Sequence, residues 1–528
     1  MLLRLAASIL SALLLASGWL SMTGLTLPVA FIPLLWISGS YGSSRREWWG
    51  MFGWAALTFV LWNALTVWWI WFATPVGPPA AVLASTTLNM IAFMLFHSIS
   101  KQAPKALAYT ALMAGWIATE YWYTVGDFSW PWLILGNGFS HDVWAVQWYE
   151  YTGVFGGSLW VLLANVLIYE ALQARSARRI AAAAFVVLAP ICISLAMWCS
   201  WEEPAEKVRV AVIQPNVDCY DKFAGDDARQ ERNIIDLLED VPADADYIFL
   251  PETAVPRYYW EPQLAQYPMM PEAGAFWQEL ADSLRANHPR AILVTGANTL
   301  RQYTAQTKTR TARANQYYGW YDHFNTAVGL TADGLTQLHH KGRLVIGVEK
   351  TPMPWLFDAL EFLVIDLGGT LGQIGQGTMG MPFTHNGITF GSAICYEGLY
   401  GDFYGDFVRR GAQFMAIISN DGWWEDTPGY RHLFTISRLR AIEHRRAIAR
   451  SANTGRSGFI SARGDVGETL GWEQRGVITA DVAVATPSEK TFYTRYGDYV
   501  GRLSNYLMLL SVLYYIALRI KRKNYLVQ

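Results

Sequence analysis

Residues 387–398 read GITFGSAICYEG, an apolar run that ends in Cys395, Tyr396 and Glu397 before a glycine. Its β-branched and aromatic residues predict a buried strand, and its polar end predicts a turn. Similar runs recur at 207–214, 246–253, 291–297, 325–330 and 414–420, and helical periodicity lies between them at 226–240, 276–286 and 432–450. The sequence therefore predicts an α/β domain built on a sheet.

Three of the predicted strands end in residues of complementary chemistry. YIFLPE ends at Glu252, TQLHHK at Lys341 and GSAIC at Cys395. Reactive groups of α/β domains converge where strands end, and a nucleophilic thiol needs a base and donors for an oxyanion. Taken singly, the cysteine suits an apolar filler, and the glutamate and lysine suit surface groups. Together they predict a nucleophilic site.

The first 200 residues have a different composition, with few charged side chains and many of the 25 tryptophans. About 20 apolar residues are needed to cross a bilayer as a helix. Eight such spans are predicted: Leu2–Leu20, Ser21–Ser38, Trp49–Phe72, Pro79–Ser98, Ala106–Tyr123, Gly156–Leu172, Ile180–Trp198 and Leu503–Leu518.

Basic residues fall on one side of these predicted spans. They are Arg4, Arg45, Arg46, Lys101, Lys105, Arg175, Arg178, Arg179, Arg519, Lys521, Arg522 and Lys523. Lys and Arg stay on the cytoplasmic side, so both termini are expected in the cytoplasm and the polar segment outside it. The predicted organisation is seven spans in 1–201, a catalytic domain in 202–501, and a final span with a basic tail in 502–528.

Four local motifs, PETAVP at 251–256, HKGRLVIGVEKTP at 340–352, GSAICYEG at 391–398 and SNDGWW at 419–424, resemble the nitrilase superfamily. Within it, the order of the motifs inside a membrane frame resembles the apolipoprotein N-acyltransferase family. The resemblance implies a multi-pass α-helical membrane protein with an inserted α/β nitrilase-like domain, layered as an α-β-β-α sandwich.

The resemblance also implies roles for individual residues. Cys395 would be the nucleophile and acyl carrier, Glu252 the general base and acid, and Lys341, with the backbone N–H of Tyr396, the oxyanion stabiliser. Glu349 and Glu397 would position Lys341 and tune its charge, although capping and surface roles stay open. The expected lipid-binding residues are Trp423, Trp424, Phe223, Trp355 and Phe357; the family often has a tryptophan where this chain has Phe223.

Three further segments allow two interpretations each. The apolar run 352–367 is either a loop that dips into the membrane interface or a buried core helix. The arginine-rich helix that includes 438–450 either approaches lipid phosphates or forms a solvated or salt-bridged face. His339 and His340 would point to opposite faces of a strand, so a metal pair is not expected.

The function implied is N-acylation of the diacylglyceryl-modified N-terminal cysteine of apolipoproteins, with a phospholipid as acyl donor and a thioester intermediate. Such an enzyme would contact membrane lipid, use no cofactor or metal, and sit in a bacterial inner membrane with its catalytic domain in the periplasm. A net charge of -2 gives no reason to expect nucleic acid, and a monomer is expected. Two alternatives remain: a membrane-tethered amidase or nitrile hydrolase, and a non-enzymatic transporter or receptor.

Overall fold

The computed structural model describes residues 1–20, 22–220, 222, 226–261, 271–317, 319–351 and 373–527, with the backbone alone at 271–273 and 522–527. Two compact units make up the chain: Met1–Ser200 together with Tyr496–Gln528, and Trp201–Arg495. The predictions for Phe223, Trp355, Phe357 and the segment 352–367 fall outside the described residues.

The first unit is helical. Its helices are α1 (Leu2–Ala16), α2 (Leu27–Ala30), α3 (Ile32–Gly39), α4 (Arg45–Val67), α5 (Gly77–Ser100), α6 (Lys105–Val125), α7 (Tyr149–Ala174), α8 (Ala177–Cys199) and, from the end of the chain, α14 (Tyr499–Val527). The start of α4 is set by a capping box, in which Ser44 and Glu47 satisfy each other's backbone N–H groups.

Six segments of the described chain are helical, long and apolar enough to cross a membrane: Leu2–Trp19, Arg45–Phe72, Gly77–Ser100, Tyr149–Ala174, Ala177–Cys199 and Tyr499–Lys521. Two predicted spans differ. The second coincides with a shorter apolar helical segment, Gly24–Gly39, in which α2 and α3 meet at Phe31. The fifth, α6, has 21 residues, but Glu120 and its many tyrosines and tryptophans make it less apolar.

The second unit contains 14 described strands and its own helices. The helices are α9 (Asp227–Glu239), α10 (Pro271–Asn287), α11 (Gly401–Arg409), α12 (Pro428–His444) and α13 (Phe492–Tyr496). The strands are β1 (Lys207–Gln214), β2 (Tyr247–Phe249), β3 (Val255–Trp260), β4 (Ile292–Tyr303), β5 (Arg313–Asn315), β6 (Gly319–Thr331), β7 (Gly334–His340), β8 (Phe383–His385), β9 (Ile388–Ile394), β10 (Phe414–Ser419), β11 (Ile448–Ala452), β12 (Ser457–Ile460), β13 (Val466–Leu470) and β14 (Gly476–Ala483).

These strands form two sheets. The first has the order β14-β1-β2-β4-β6-β5, with β3 also on β4 and β7 also on β6, and the second has the order β13-β12-β11-β10-β9-β8. In the first, β1, β2 and β4 are parallel; in the second, β9, β10 and β11 are parallel. Strands buried on both faces read as continuous apolar runs, which is why the sequence marked five of these six parallel strands and missed only β11.

The sheets pack face to face through aromatic side chains. Tyr247 and Phe249 of β2 meet Phe390 of β9 and Phe414 of β10 edge to face, with ring centroids 5.2–6.4 Å apart. Leucines of α9 and α10 cover the outer face of the first sheet, while Phe407 of α11 contacts β9 and Phe434 of α12 faces β11. This α-β-β-α layering confirms the predicted fold class.

The arginine-rich helix ends earlier than predicted. Arg445 takes a left-handed conformation (φ 48°) that terminates α12, and β11 begins three residues later at Ile448. Arg440, Arg446 and Arg450 are buried, and Arg450 pairs with Asp421 at 2.9 Å. Of the two forms of that interpretation, solvation is wrong for these three residues, and salt-bridging is confirmed for Arg440, which pairs with Glu443, and for Arg450.

Candidate active site

Cys395 stands on a sharp turn directly after β9. It opens a 3₁₀ turn, Cys395–Leu399, and has a positive φ of 49°, which is rare outside glycine. Such a conformation costs about 1–3 kcal/mol and persists only where surrounding structure imposes it. A thiol on a strained strand-to-helix turn is the arrangement that many nucleophilic enzymes use. Cys395 is 6% exposed.

Glu252 lies just beyond β2, and neighbouring backbone fixes its position. A Cβ at Gly296 would lie 2.2 Å from the backbone nitrogen of Thr253, so only glycine fits at this position of β4. Thr253 itself has a φ of 49°. The Glu252 carboxylate accepts hydrogen bonds from Lys341 Nζ at 2.7 Å and from the N–H of Asn420 at 3.1 Å.

Lys341 follows β7 and is almost fully buried between two carboxylates. Its Nζ donates to Glu252 Oε1 at 2.7 Å and to Glu349 Oε1 at 2.9 Å. An ammonium has three N–H groups, and the third has no acceptor among the described residues. Burial alone would lower the pKa of Lys341, but the charges of Glu252 and Glu349 raise it well above its usual range. Lys341 is therefore a permanent cation.

The electrostatics of Glu252 and Cys395 are opposite. Burial would raise the pKa of Glu252, but the charge of Lys341 and hydrogen bonds from Lys341, Asn325 and Cys395 lower it below its usual value. Burial, followed by the Glu252 charge, raises the pKa of the Cys395 thiol far above its usual value, against the opposing charge of Lys341. At neutral pH the resting site holds a neutral thiol beside an ionised carboxylate.

Glu397 does not contact the Lys341 ammonium. Its carboxylate is fully buried and accepts from the N–H of Gly342 at 2.5 Å and from the N–H of Ile394 at 2.7 Å. His339 Nε2 lies 3.0 Å from the same carboxylate. Gly342 follows Lys341 and Ile394 precedes Cys395, so Glu397 joins the backbone of the lysine turn to that of the cysteine turn.

Sequence reasoning missed Asn325, which lies within β6. Its Nδ2 donates to Glu252 Oε1 at 2.7 Å and to Glu349 Oε1 at 3.0 Å. Its backbone carbonyl accepts from the N–H of Lys341 at 2.8 Å. A polar residue at the start of an otherwise apolar predicted strand was the signal available.

Lys222 was also missed, although it precedes the predicted Phe223. Its side chain is 3% exposed, and Nζ donates to the backbone carbonyl of Glu252 at 3.0 Å and to Thr253 Oγ1 at 2.9 Å. Burial lowers the pKa of Lys222 to about 8. Two buried lysines thus hold Glu252: Lys222 contacts its backbone carbonyl, and Lys341 contacts its side-chain carboxylate.

The remaining described site residues lie close in sequence to these groups. Tyr396 is buried in the turn that Cys395 opens. Trp423 and Trp424 are half-buried in the 3₁₀ turn Asp421–Trp424, directly after Asn420, and the ring of Trp423 meets that of Tyr220 at 5.7 Å. Within the described residues, no group of three or more His, Cys, Asp or Glu side chains could hold a metal ion.

The arrangement suits acyl transfer through a covalent intermediate. The structure brings together Glu252, Lys341, Cys395 and Glu349, with Glu397 behind them. It supplies a thiol, an adjacent base, and a buried cation with an unused donor, which are the parts that nucleophilic acyl chemistry requires. Lys341, buried and doubly paired, is unsuited to be the base.

Two family models match the chain. Residues 209–489 match the carbon-nitrogen hydrolases, and residues 11–167 match the N-terminal domain of apolipoprotein N-acyltransferase. The second match favours the acyltransferase over both a tethered amidase and a non-enzymatic protein. A Saccharomyces cerevisiae member of the nitrilase superfamily aligns with 54% of this chain and 92% of its own at 18% identity, with a TM-score of 0.37.

Two curated relatives match this chain over most of its length. An apolipoprotein N-acyltransferase of Chlorobaculum tepidum is 29% identical over 490 residues, 89% of this chain and 88% of that protein. One of Geobacter metallireducens is 25% identical over 398 residues, 72% of this chain and 69% of its own. With the carbon-nitrogen hydrolase match covering more than half of its residues, the chain belongs to the carbon-nitrogen hydrolase family, as one of its apolipoprotein N-acyltransferases.

Proposed function

We propose that this enzyme moves an acyl group from a phospholipid to the α-amino group of the diacylglyceryl-modified N-terminal cysteine of an apolipoprotein, through a thioester on Cys395. The observation that carries the proposal is the grouping of Glu252, Lys341 and Cys395, with Lys341 Nζ bonded to Glu252 at 2.7 Å, inside a chain of this family. A thioester divides a difficult ester-to-amide exchange into two steps at one nucleophile.

In the first step, Cys395 Sγ attacks the ester carbonyl of the donor while Glu252 takes the thiol proton. The new oxyanion receives the unused N–H of Lys341 and the backbone N–H of Tyr396. As the carbon–oxygen bond breaks, Glu252 returns its proton to the leaving lysophospholipid, which departs as an alcohol. The acyl group remains on Cys395.

In the second step, the amine of the lipoprotein attacks the thioester carbonyl, and Glu252 takes a proton from the attacking nitrogen. Collapse of the intermediate forms the amide and expels the Cys395 thiolate, which recovers the proton from Glu252. Each half-reaction thus returns Glu252 to its ionised state. Glu349 holds Lys341 through the 2.9 Å bond, and Glu397 sets the two turns.

The membrane supplies both substrates in this proposal. The six apolar helices indicate a membrane protein; a location in the bacterial inner membrane, with cytoplasmic termini and a periplasmic catalytic domain, rests on the one-sided distribution of Lys and Arg. Trp423 and Trp424 are proposed to contact the acyl chain, since half-buried indoles tolerate an apolar neighbour. The triad comes from one chain, which supports a monomer as the functional unit.

Acyl labelling of the full-length protein tests this function. Purified in detergent and mixed with phospholipid, the wild type should gain an acyl mass that hydroxylamine removes, because hydroxylamine cleaves thioesters. Cys395→Ala should gain none. Cys219→Ala is the matched control, since Cys219 is another buried thiol of the same unit, and it should label like the wild type.

Labelling that persists in Cys395→Ala would refute the thioester on Cys395. Labelled protein that releases free fatty acid to water but gives none to a diacylglyceryl-cysteine peptide would refute the transfer step. That second result would restore the amidase-like alternative.

A further inference from the structure

A basic cavity lies in the helical unit, far in sequence from the catalytic residues. It has a volume of about 270 Å³ and is lined by residues that include Arg45, His97, Lys101, Tyr515 and Arg519. About 10–15 Å³ of such space is enough to hold one water, so the cavity admits many. It is large enough for a hydrated phosphate group and too small for a whole phospholipid.

The three cations come from the ends of three candidate spans. Arg45 opens Arg45–Phe72, Lys101 follows Gly77–Ser100, and Arg519 lies two residues before the end of Tyr499–Lys521. The ends of membrane-spanning helices lie at the depth of lipid headgroups. Basic pockets between such helices are a recurring way to bind anionic headgroups.

The charges of this cavity are not neutralised by the protein. No carboxylate lies within 4 Å of Arg45, Lys101 or Arg519 in the described part of the chain. Elsewhere in the same unit, Lys105 and Arg179 both pair with Glu170.

Glu47 is the acid beside this cavity, and its carboxylate is already engaged. It accepts from the N–H of Gly42 and from both the N–H and the hydroxyl of Ser44. Its one negative charge, which acts on Lys101, stands against three cations, so the net charge of the groups around the cavity stays positive.

A second observation points to a ligand. His97 is fully buried, and its Nδ1 lies 2.8 Å from the hydroxyl of Ser38. Its Nε2 is buried without a hydrogen-bond partner among the described residues. Buried ring nitrogens are ordinarily paired, and His97 is one of the residues that line the cavity.

We propose that this cavity binds a phosphate group, supplied by an anionic phospholipid headgroup or by free phosphate. Arg45, Lys101 and Arg519 provide the charge, and His97 provides a directed donor. The site would join the end of α14, which packs on α6, to the ends of α4 and α5. All of its lining residues belong to the helical unit, whereas Glu252, Lys341 and Cys395 belong to the other unit.

Binding to the full-length protein in detergent tests this assignment. Three probes are compared by native mass spectrometry and calorimetry: dioctanoyl phosphatidylglycerol, inorganic phosphate, and dioctanoylglycerol, which has the same acyl chains without a phosphate. Arg45→Gln and Arg519→Gln should each weaken binding of the phosphate-bearing probe about five-fold, on the basis of about 1 kcal/mol per basic residue. Neither should alter binding of dioctanoylglycerol.

Arg46→Gln is the matched control, because Arg46 is the next residue of α4, is exposed, and does not line the cavity. It should bind all three probes like the wild type. Arginine-dependent binding of the lipid identifies the headgroup as the source, and arginine-dependent binding of phosphate alone identifies the free ion. Wild-type affinity for both phosphate probes in Arg45→Gln and Arg519→Gln, or an equal loss in Arg46→Gln, would overturn the proposal.

Discussion

Replacement of Glu397 by glutamine tests whether this residue controls the reaction by holding two turns together. The carboxylate offers one oxygen to the N–H of Gly342 and the other to the N–H of Ile394. A glutamine amide has one acceptor oxygen and an NH₂ group. One of the two backbone N–H groups must therefore face another donor in a fully buried position.

The expected loss of stability follows from the one buried N–H group that is left without an acceptor. A buried donor left unpaired costs about 1–3 kcal/mol, and the surviving bond loses the extra strength of a charged acceptor. We expect Glu397→Gln to lower the free energy of unfolding by about 2–4 kcal/mol. Displacement of Cys395 relative to Lys341 by about 1 Å would slow acylation about 100-fold.

Two measurements separate these effects: the rate of single-turnover acyl-adduct formation per folded molecule, and thermal denaturation. Asp322→Asn is the matched control, because Asp322 is a buried carboxylate of the same unit that accepts hydrogen bonds from Thr309 and Thr311. It should lose stability while acylating at nearly the wild-type rate. A normal acylation rate in Glu397→Gln, or an equal loss in Asp322→Asn, would refute the reasoning.

Three further outcomes follow from the site. The pKa of Glu252 is lowered and that of Cys395 is far above its usual value. The wild-type acylation rate should therefore be flat between about pH 5.5 and about pH 7.5. A rate that rises steadily as the thiol ionises would contradict concerted proton transfer. Asn325→Leu removes a hydrogen bond that lowers the pKa of Glu252, so the acidic limb of the same profile should move to higher pH. The pKa of Lys222 is about 8 in the folded protein, so the unfolded chain binds more protons between about pH 8 and about pH 10.5. Relative to Lys222→Met, the wild type should therefore gain roughly 3 kcal/mol of stability across that range. Chemical denaturation of both proteins at each end of the range measures this gain.

The ends of predicted strands pointed to Glu252, Lys341 and Cys395 from the sequence alone, because local composition marks a buried strand and its end. β1 occupies the predicted segment Lys207–Gln214, and Cys395 follows β9 as expected. What sequence could not reveal is pairing between distant segments. Asn325 lies 73 residues after Glu252 in the sequence, and the antiparallel pairing of β4 with β6 brings it beside the Glu252 carboxylate.

For other polar residues, composition left open alternatives that burial and partners decide. The arginines of α12 and β11 have the composition of a solvated face, yet Arg440 and Arg450 are buried against Glu443 and Asp421. Composition reports the charge of a side chain and not its partner. Glu397 is predicted to position Lys341, and in the structure its carboxylate accepts from backbone N–H groups on both turns and does not contact the ammonium.

In the proposed mechanism, the charge balance of the site explains why Lys341 would favour the transition state over the ground state. At rest, its ammonium is shared by Glu252 and Glu349, and the neutral Cys395 thiol adds no charge. When Glu252 takes the thiol proton it becomes neutral, and one negative charge appears instead on the carbonyl oxygen of the substrate. Lys341 therefore loses attraction to Glu252 at the moment when an oxyanion forms within reach of its unused N–H. Because the total charge stays constant while its location moves, the lysine stabilises the displaced charge without being reorganised, which is the condition for electrostatic catalysis.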